Sequence, residues 1–353
     1  FTPIALIAST VFLVVICWTA NIILARIFTI PTNVESAIIT GLILALIVDP
    51  ARSANDFQFL GWVAILAMAS KYILAINNKH IFNPAAIAVV ITAFALNEPA
   101  SWWVGTASML PATLIGGWLI VRKMRQEDMA VIFIAASLVT VCLASLIQNA
   151  SIAQQLKQLV AATPLFFVAA IMLTEPLTAP PTRDLKRIYA IITGFLIVPQ
   201  IHLGPIYSTP ELAVVAGNVF SYLVSSKQRI TLKLRRKHKI SQEIIDFVFI
   251  PSKSPAFAPG QYMEFTLDHP YPDARGNRRY FTIASSPTEE AVHLGVRFYK
   301  RGSSFKRALY ALDARAKILG AQIAGDFTLP QDRSQKLVFI AGGIGITPYR
   351  SML

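Results

Sequence analysis

Apolar runs follow one another through the first 226 residues of the chain, and they leave it few ways to fold. A bilayer span needs about 20 apolar residues, so these runs predict about nine membrane helices. Several runs are shorter than a full span and are expected to be half-helices, or helices buried among others. The runs cover approximately residues 3–29, 36–48, 58–77, 81–96, 107–121, 127–148, 161–174, 187–203 and 209–226.

The remaining residues have a different composition. From residue 227 onward polar and apolar residues alternate, as in a soluble β-rich domain. This part also holds 21 of the 32 Lys and Arg of the chain. Seven of them lie in residues 227–239, which is typical of a basic juxtamembrane linker that meets anionic lipid headgroups. Nucleic-acid binding is not expected, because no aromatic-studded basic face accompanies these charges.

Cations in short loops predict the orientation of the helices. Residues 122–125, residues 183–187 and the basic linker carry the clusters, and two predicted helices separate each cluster from the next. All three clusters therefore fall on one face, which the positive-inside rule makes the cytoplasmic one. We expect a multi-pass protein of a bacterial-type inner (plasma) membrane, with a cytoplasmic C-terminal part.

Two stretches of the membrane part resemble each other. Residues 39–53 and 166–180 each place a short apolar helix before an acid-proline pair, Asp49-Pro50 or Glu175-Pro176. An odd number of segments separates the copies, so they point in opposite directions, as in an inverted repeat with a midplane site. The alternative is that acid-proline pairs simply end helices. A five-helix unit would place one more helix before Phe1, so we expect the chain to continue at that end.

Few residues of the membrane part suit metal or haem chemistry. Cys17 and Cys142 lie in apolar runs, build no disulfide framework and cannot alone make a four-thiolate site. His80 and His202 lie near the ends of different segments, which does not suit the paired axial ligands of a haem. No metal site is expected.

Three stretches of the second part suit a flavin dinucleotide. In "RRYFTIASSP", Arg279 can hold a diphosphate, Phe281 can face an isoalloxazine ring, and the Thr282 hydroxyl can lie near the N5 edge of that ring. Strand alternation places Arg279 and Phe281 on one side, and Tyr280 and Thr282 on the other. In "RGSSFKRAL", the backbone amides that open a predicted helix make a second anion site. In "KLVFIAGGIGITPYRSML", a hydrophobic strand runs into a tight glycine turn, the first step of a nucleotide-binding domain.

These motifs resemble the ferredoxin-NADP reductase family of flavoenzymes over about residues 228–353. The resemblance implies a six-stranded-type antiparallel β-barrel that binds FAD over residues 240–332. It also implies the start of a Rossmann-like domain for NADH or NADPH over residues 333–353, whose remainder would lie beyond Leu353. Thr282 is then the catalytic candidate. The implied binding residues are Arg279, Tyr280, Phe281, Thr282, Ser285, Gly302, Ser303 and Ser304 for FAD, and Gly342, Gly343, Gly345, Thr347 and Pro348 for NAD(P).

The membrane part, residues 1–226, resembles the RnfD protein of the Rnf electron-transport complex and the NqrB protein of the sodium-translocating NADH:quinone reductase. The resemblance is carried by "NKHIFNPAAIAVV", "SWWVGTASMLPATLIGGWLIVRK" and "FFVAAIMLTEPLTAPPTRDLKRIYAIITG". It implies electron flow across the bilayer and FMN or riboflavin inside the membrane domain. In those relatives FMN is esterified to the threonine of a Ser-Gly-Ala-Thr motif. This sequence lacks the motif, and its nearest strings contain Thr113 and Thr163. A noncovalent flavin near Asn83 and Pro84 is therefore expected.

Together the two resemblances imply a membrane-bound, flavin-dependent NAD(P)H oxidoreductase. Electrons would pass from cytosolic NAD(P)H through FAD and the membrane domain to a quinone or an extracytoplasmic flavoprotein. Lipid and other membrane redox proteins are the expected partners. The alternative is a redox-driven transporter of ions or small solutes with a reductase domain, with Asp49 and Glu175 as candidate path residues.

Overall fold

The chain divides into two compact units in a computed structural model. Unit 1 comprises residues 1–180 and 184–224, and unit 2 comprises residues 181–183 and 225–353. Residues 227–229 of the predicted linker lie outside the described residues. The structure describes residues 1–28, 34–76, 79–225, 230–271, 273, 276–300, 302–332 and 334–353.

Helices make up most of unit 1. Among the described residues, two of them, Pro3–Ile27 and Glu127–Ile147, are long and apolar enough to cross a membrane, and a pair bent by 55° would be a third if it is one span. The helices are α1 (Pro3–Ile27), α2 (Val34–Ile47), α3 (Asp56–Ile73), α4 (Pro84–Ala95), α5 (Leu110–Met124), α6 (Glu127–Ile147), α7 (Ile152–Ala161), α8 (Leu165–Phe167, continued by a π-helical turn, Val168–Met172), α9 (Arg183–Leu196) and α10 (Pro210–Val224).

Among the described helices of unit 1, α7 is the one that the apolar runs do not predict. Its sequence, IAQQLKQLVA, is too polar to count as an apolar run, but it has a strongly amphipathic pattern and buries Leu159. An amphipathic helix is stabilised by packing one face, so a search for apolar runs overlooks it. The predicted count of about nine helices is therefore too low for the described part of unit 1.

The same order of elements occurs twice in unit 1. In the first copy, α2 is followed by Asp49-Pro50, α3, the hairpin β1–β2 and α4. In the second, α8 is followed by Glu175-Pro176, α9, the hairpin β3–β4 and α10. Both hairpins are antiparallel pairs of two-residue strands. The strands are β1 (Ala75–Ile76), β2 (Lys79–His80), β3 (His202–Leu203) and β4 (Ile206–Tyr207).

An antiparallel sheet of six strands forms unit 2. The strand order is β8-β7-β10-β5-β6-β9, which confirms the predicted number and direction of the strands. The edge strands β8 and β9 share one backbone hydrogen bond near their ends, from Ala284 N–H to His293 O (2.9 Å). The described residues thus form an open sheet rather than the predicted closed barrel, because β8 ends at Thr282 before a ladder with β9 can form. The strands are β5 (Ile230–Lys239), β6 (Ile244–Pro251), β7 (Tyr262–Thr266), β8 (Arg278–Thr282), β9 (Val292–Arg297) and β10 (Lys317–Ala324).

The predicted basic linker is a strand over most of its length. Residues 230–239 form β5, which pairs with both β6 and β10. Ile230, Leu232 and Leu234 are buried in the core, whereas the cations that follow them are exposed. The predicted linker was wrong here, because apolar residues alternate with the charged ones at the start of this segment, which is typical of a strand.

One helix closes the core of the sheet. Helix α11 (Ser304–Ala311) starts at Ser303, whose side chain accepts a hydrogen bond from Lys306 N–H (3.2 Å). Phe305 and Leu309 of this helix are fully buried among the phenylalanines of the strands. Burial of each such side chain contributes roughly 1.5–3 kcal/mol. The helix N-terminus is thereby held against the sheet.

The predicted strand before the glycine turn is absent. Residues 336–342 form no regular element, and Val338 and Ile340 are 85% and 84% exposed. A strand must pair its backbone groups with a neighbour, and no described strand pairs with this segment. The glycine turn itself is present as a 3₁₀ turn (Gly343–Ile346), and α12 (Thr347–Met352) follows it.

Candidate functional site

Strand β8 presents the predicted flavin residues on two faces. Arg279 and Phe281 both contact the ring of Phe305 on α11, with the Arg279 Cζ atom 5.5 Å from the ring centroid and the Phe281 centroid 5.9 Å away. Tyr280 points to the other face, where its ring packs edge-on against Tyr262 at 5.6 Å. Thr282 pairs with Tyr262 at the end of the strand. The structure thus brings Arg279 and Phe281 together on one face.

Arg279 and the start of α11 converge on one carboxylate. Asp273 Oδ1 accepts a hydrogen bond from Arg279 Nη2 (2.8 Å), and Asp273 Oδ2 accepts one from Ser304 N–H (3.0 Å). Both side chains of the ion pair are mostly buried, at 15% and 30% exposure. Charge-assisted bonds of this kind also hold phosphates. The carboxylate therefore stands where these two donors can bind an anion.

The rest of the α11 turn supports this arrangement. The Ser304 hydroxyl accepts a hydrogen bond from Asp273 N–H (2.8 Å) and contacts His269 Nε2 at 3.0 Å. Ser303 caps the helix, and Gly302 O accepts a bond from the Arg307 guanidinium (2.8 Å). The predicted Gly-Ser turn therefore exists, and its Ser304 amide points to the anion position.

Ser285 does not face the same space. Its hydroxyl accepts a hydrogen bond from His293 N–H (3.2 Å), and its carbonyl accepts one from Ser351 Oγ (2.7 Å). The side chain is 1% exposed. Ser285 thus ties the end of β8 to β9 and α12.

Tyr280 lies in a partly desolvated setting on the outer face of the sheet. Its hydroxyl donates to the side-chain oxygen of Gln322 (3.0 Å), and Gln322 has a left-handed backbone (φ 47°) at an irregularity of β10. Desolvation and the nearby Glu264 carboxylate raise the pKa of the Tyr280 phenol. Tyr280 therefore remains a neutral hydrogen-bond donor.

The predicted glycines of the nucleotide turn leave space. A Cβ atom added at Gly342, Gly343 or Gly345 would meet no atom within 4 Å. Only Gly343 has a left-handed backbone (φ 53°), so the turn itself requires glycine there. Thr347 bonds Ile344 O through its hydroxyl (3.1 Å), and Pro348 lies in the first turn of α12. This open turn matches the close backbone approach that a pyrophosphate needs.

The residues of unit 2 fit FAD in kind. A guanidinium, a helix-start amide and a partly buried aromatic ring lie around one anion position, and the carboxylate of Asp273 already stands there. Arg279 would hold the diphosphate together with the Ser304 amide, once it exchanges its bond to Asp273.

In unit 1, Asn83 and Pro84 begin helix α4. Asn83 Oδ1 accepts hydrogen bonds from Ala85 N–H and Ala86 N–H (both 3.1 Å), and Pro84 occupies the first helical position. Asn83 Nδ2 donates to Glu175 Oε2 (3.0 Å), and Asn83 N–H donates to Asn218 Oδ1 (2.7 Å). The polar atoms of Asn83 are thus used in hydrogen bonds within the protein, which gives the residue a structural role.

Glu175 is the centre of a polar cluster. Besides the bond from Asn83, Glu175 accepts one from the Thr178 hydroxyl (3.0 Å), and its other oxygen lies 3.3 Å from His80 Nε2. Asp49, its counterpart in the repeated order, is instead 46% exposed and pairs with Arg52 at 3.6 Å. The two acid-proline pairs therefore have different surroundings.

Thr113 and Thr163 line one small cavity. The volume open to the centre of a water-sized molecule is about 10 Å³, about what one water molecule requires. Both hydroxyls donate to carbonyls of the preceding turn, those of Met109 and Leu159. The cavity is too small for a flavin.

Several residues of these sites were not predicted from the sequence. Asp273 reads as part of a turn in "HPYPDARGN", and Phe305 reads as an ordinary core position. His80 reads as an interfacial residue. The one signal in the sequence that could have identified His80 is its position directly before the "IFNPAA" stretch. The described residues contain no group of three or more His, Cys, Asp or Glu arranged to hold a metal ion.

Comparison with known proteins matches each part of the chain. Residues 103–231 match the NQR2, RnfD, RnfE family. Over the C-terminal part, the chain is 29% identical to flavohemoprotein A of Dictyostelium discoideum, covering 33% of this chain and 32% of that protein. It is 32% identical to the flavohemoprotein of Pseudomonas aeruginosa, covering 34% and 30%. The chain thus spans about a third of the length of the curated relatives it matches.

Two solved structures are similar over a comparable share. One is the flavohem-like FAD/NAD binding domain of nitric oxide dioxygenase from Vibrio cholerae, at 20% identity and a TM-score of 0.30, covering 35% of this chain and 54% of that one. The other is ferredoxin-NADP+ reductase from Plasmodium falciparum, at 23% identity and a TM-score of 0.30, covering 35% and 51%. Likeness of this size carries no further conclusion. The chain therefore joins residues 103–231, which match the NQR2, RnfD, RnfE family, to a C-terminal part that is similar to flavohemoproteins.

Proposed function

We propose that unit 2 binds FAD and oxidises NADH or NADPH, and that unit 1 passes the electrons on within the membrane. The observation that carries this proposal is the convergence of Arg279 and the Ser304 amide on one anion position beside Phe281. When bound, FAD takes a hydride from NAD(P)H and gives the electrons to an acceptor one at a time.

The residues of unit 2 contribute binding and orientation. Arg279 and the Ser304 amide neutralise the diphosphate, while Phe281 rests on Phe305 and offers its ring edge or face to the cofactor. The Thr282 hydroxyl, at the end of β8, supplies a hydrogen bond to the edge of the flavin ring. The open glycine turn at Gly342–Gly345 receives the pyrophosphate of the nicotinamide dinucleotide.

The comparisons support both parts of the proposal. Curated relatives of the C-terminal part are flavohemoproteins, and the residues before it match a family named for membrane redox proteins. We propose that residues 230–332, which begin with β5, form the FAD-binding part and that residues 333–353 begin the NAD(P)-binding part.

The test is the cofactor content and reactivity of the full-length protein. Purified protein should show a yellow flavin absorption spectrum, release FAD on acid treatment, and lose its flavin absorbance on addition of NADH or NADPH. Colourless protein, or flavin that dithionite reduces but neither nucleotide does, would overturn the proposal.

A membrane acceptor follows from the same proposal. We propose a quinone or an extracytoplasmic flavoprotein as acceptor, in a bacterial-type inner membrane with unit 2 in the cytoplasm. The hydrocarbon core is about 30 Å thick, so an acceptor on the far side requires a second carrier in the membrane part, such as FMN or riboflavin. A single flavin per full-length chain, with no iron, would contradict transfer across the membrane.

The repeated order of elements in unit 1 favours a second candidate function. Helices α2, α4 and α10 are shorter than a full span, and Asn83, which caps α4, donates a hydrogen bond to Glu175. Short helices repeated in this way occur in transporters with inverted repeats. Uptake of sodium or protons into liposomes driven by NADH would support a redox-driven transporter. Quinone reduction without such uptake would exclude the transporter function.

A further inference from the structure

Helix α12, which follows the glycine turn, is fastened to the connection after β8. The Arg350 guanidinium donates two parallel hydrogen bonds to Glu289, from Nη1 to Oε1 (2.6 Å) and from Nη2 to Oε2 (3.0 Å). Arg350 Nη1 also donates to Ala284 O (2.7 Å). A two-pronged pair fixes direction as well as distance, which a single contact does not.

Two neighbouring contacts strengthen this attachment. The Ser351 hydroxyl, which is 1% exposed, donates to Ser285 O (2.7 Å). Thr347 packs on β9 at Gly295, where an added Cβ atom would lie only 2.8 Å from Thr347 Cγ2. The glycine turn can therefore approach β9 because residue 295 has no side chain.

Glu289 is itself held in place before it meets Arg350. Its Oε1 atom accepts a hydrogen bond from Ser286 N–H (2.7 Å), and its Oε2 atom lies 3.7 Å from His293 Nε2. His293 is in turn oriented by Asp246 (2.7 Å). The hydrogen bond from Arg350 lowers the pKa of the Glu289 carboxyl, so Glu289 is ionised at neutral pH.

The attachment joins the two predicted cofactor elements through very short segments. Ala284 and Ser285 come shortly after Thr282, the last residue of the predicted flavin strand β8. Arg350 lies on α12, the short helix that directly follows the glycine turn. We propose that Arg350 and Glu289 are positioning residues that set the nicotinamide-binding turn against the flavin strand for hydride transfer. This inference rests on the proposed function.

A purely stabilising role predicts a different outcome. Arg350 and Glu289 are 44% and 33% exposed, and ion pairs at that exposure contribute little to stability. Hydride transfer is far more sensitive, because a displacement of about 1 Å can slow an enzymatic step roughly 100-fold. Loss of the pair should therefore slow the reaction much more than it lowers the unfolding temperature.

The experiment measures flavin reduction in the full-length, FAD-loaded protein by stopped flow, over a range of NADH and NADPH concentrations. Arg350→Ala and Glu289→Gln should lower the limiting rate constant about tenfold or more, with flavin content and reduction by dithionite unchanged. Arg350→Lys keeps the charge without the fork and should restore the rate only in part. The exchange variant Arg350→Glu/Glu289→Arg should recover part of the rate lost in the single variants. Arg297→Gln is the matched control, because Arg297, the last residue of β9, forms an ion pair of similar exposure with Glu243 (2.8 Å).

The outcomes separate the two proposals. Wild-type flavin that neither nucleotide reduces would overturn the proposed function. Wild-type flavin that is reduced, with Glu289→Gln and Arg350→Ala at the wild-type rate, would overturn the positioning role. A rate lowered equally in the Arg297→Gln control would also overturn it. If Arg350→Ala loses its flavin, Glu289→Gln alone decides, since that change keeps the size of an exposed side chain.

Discussion

Replacement of Arg279 by glutamine is predicted to weaken FAD binding by an amount that the structure sets. The Arg279 side chain is 15% exposed, so solvent screens its charge weakly. A hydrogen bond to a charged group contributes about 1.5–3 kcal/mol. Against this stands the release of the Asp273 contact, which the variant no longer has to break; because desolvation offsets most of the attraction in a mostly buried pair, this exchange costs about 0–1 kcal/mol. The net loss is about 0.5–3 kcal/mol, or roughly a 2- to 150-fold rise in Kd.

Two controls make the assay specific. Flavin-depleted full-length protein is titrated with FAD and, separately, with riboflavin, which has no phosphate. Arg279→Gln should weaken FAD binding and leave riboflavin binding within about twofold of wild type. Arg278→Gln should change neither, because Arg278 is adjacent in sequence but faces Glu264 (3.8 Å) on the opposite side of β8. Equal losses for FAD and riboflavin, or for the two arginine variants, would refute a diphosphate role for Arg279.

Three further predictions test other parts of the molecule. Phe305→Leu removes the buried ring under Arg279 and Phe281, and should lower the free energy of unfolding of unit 2 by about 1–3 kcal/mol; an unchanged thermal midpoint would contradict the packing argument. Glu175→Gln leaves His80 without its carboxylate, and should slow electron transfer to a quinone while ferricyanide reduction by NAD(P)H stays at the wild-type rate; equal quinone rates would exclude a role for the cluster. Because the pKa of Glu289 is lowered from 4.5, its contribution to stability is complete above that pH and is lost as the pH falls through the lower folded value. The midpoint of Glu289→Gln should thus lie below that of wild type at neutral pH and converge with it in acid, and a constant difference would contradict this.

Local patterns in the sequence predicted much of the site. Alternation alone places Arg279 and Phe281 on one face of β8 and Tyr280 on the other, as the structure has them. The start of α11 follows from Ser303, a residue type that caps helices. The two family resemblances were confirmed by the match over residues 103–231 and by the flavohemoproteins. These features depend on neighbours within a few residues, or on motifs that are specific as a set.

The features that the sequence did not predict depend on distant partners. Asp273 binds Ser304 from a loop that carries no motif of its own, and His80 reaches Glu175 across 95 positions. The segment around Val338 has the composition of a strand but forms none, because pairing requires a neighbour that composition does not reveal. For β5 the reverse is true: its charges predicted a linker, whereas the structure has a strand in which Leu232 pairs with both neighbouring strands.

The place of β10 in the sheet has a consequence for how unit 2 is made. Among the six described strands of this sheet β10 comes last in sequence, yet it lies between β7 and β5. Until it leaves the ribosome, the strands β5, β6 and β9 form one group and β7 and β8 another, with no hydrogen-bonded ladder between the groups. Sequence-distant pairing of this kind is slow and exposes strand edges meanwhile. Completion of the sheet of unit 2 therefore waits on residues 317–324, long after the helices before it have been synthesised.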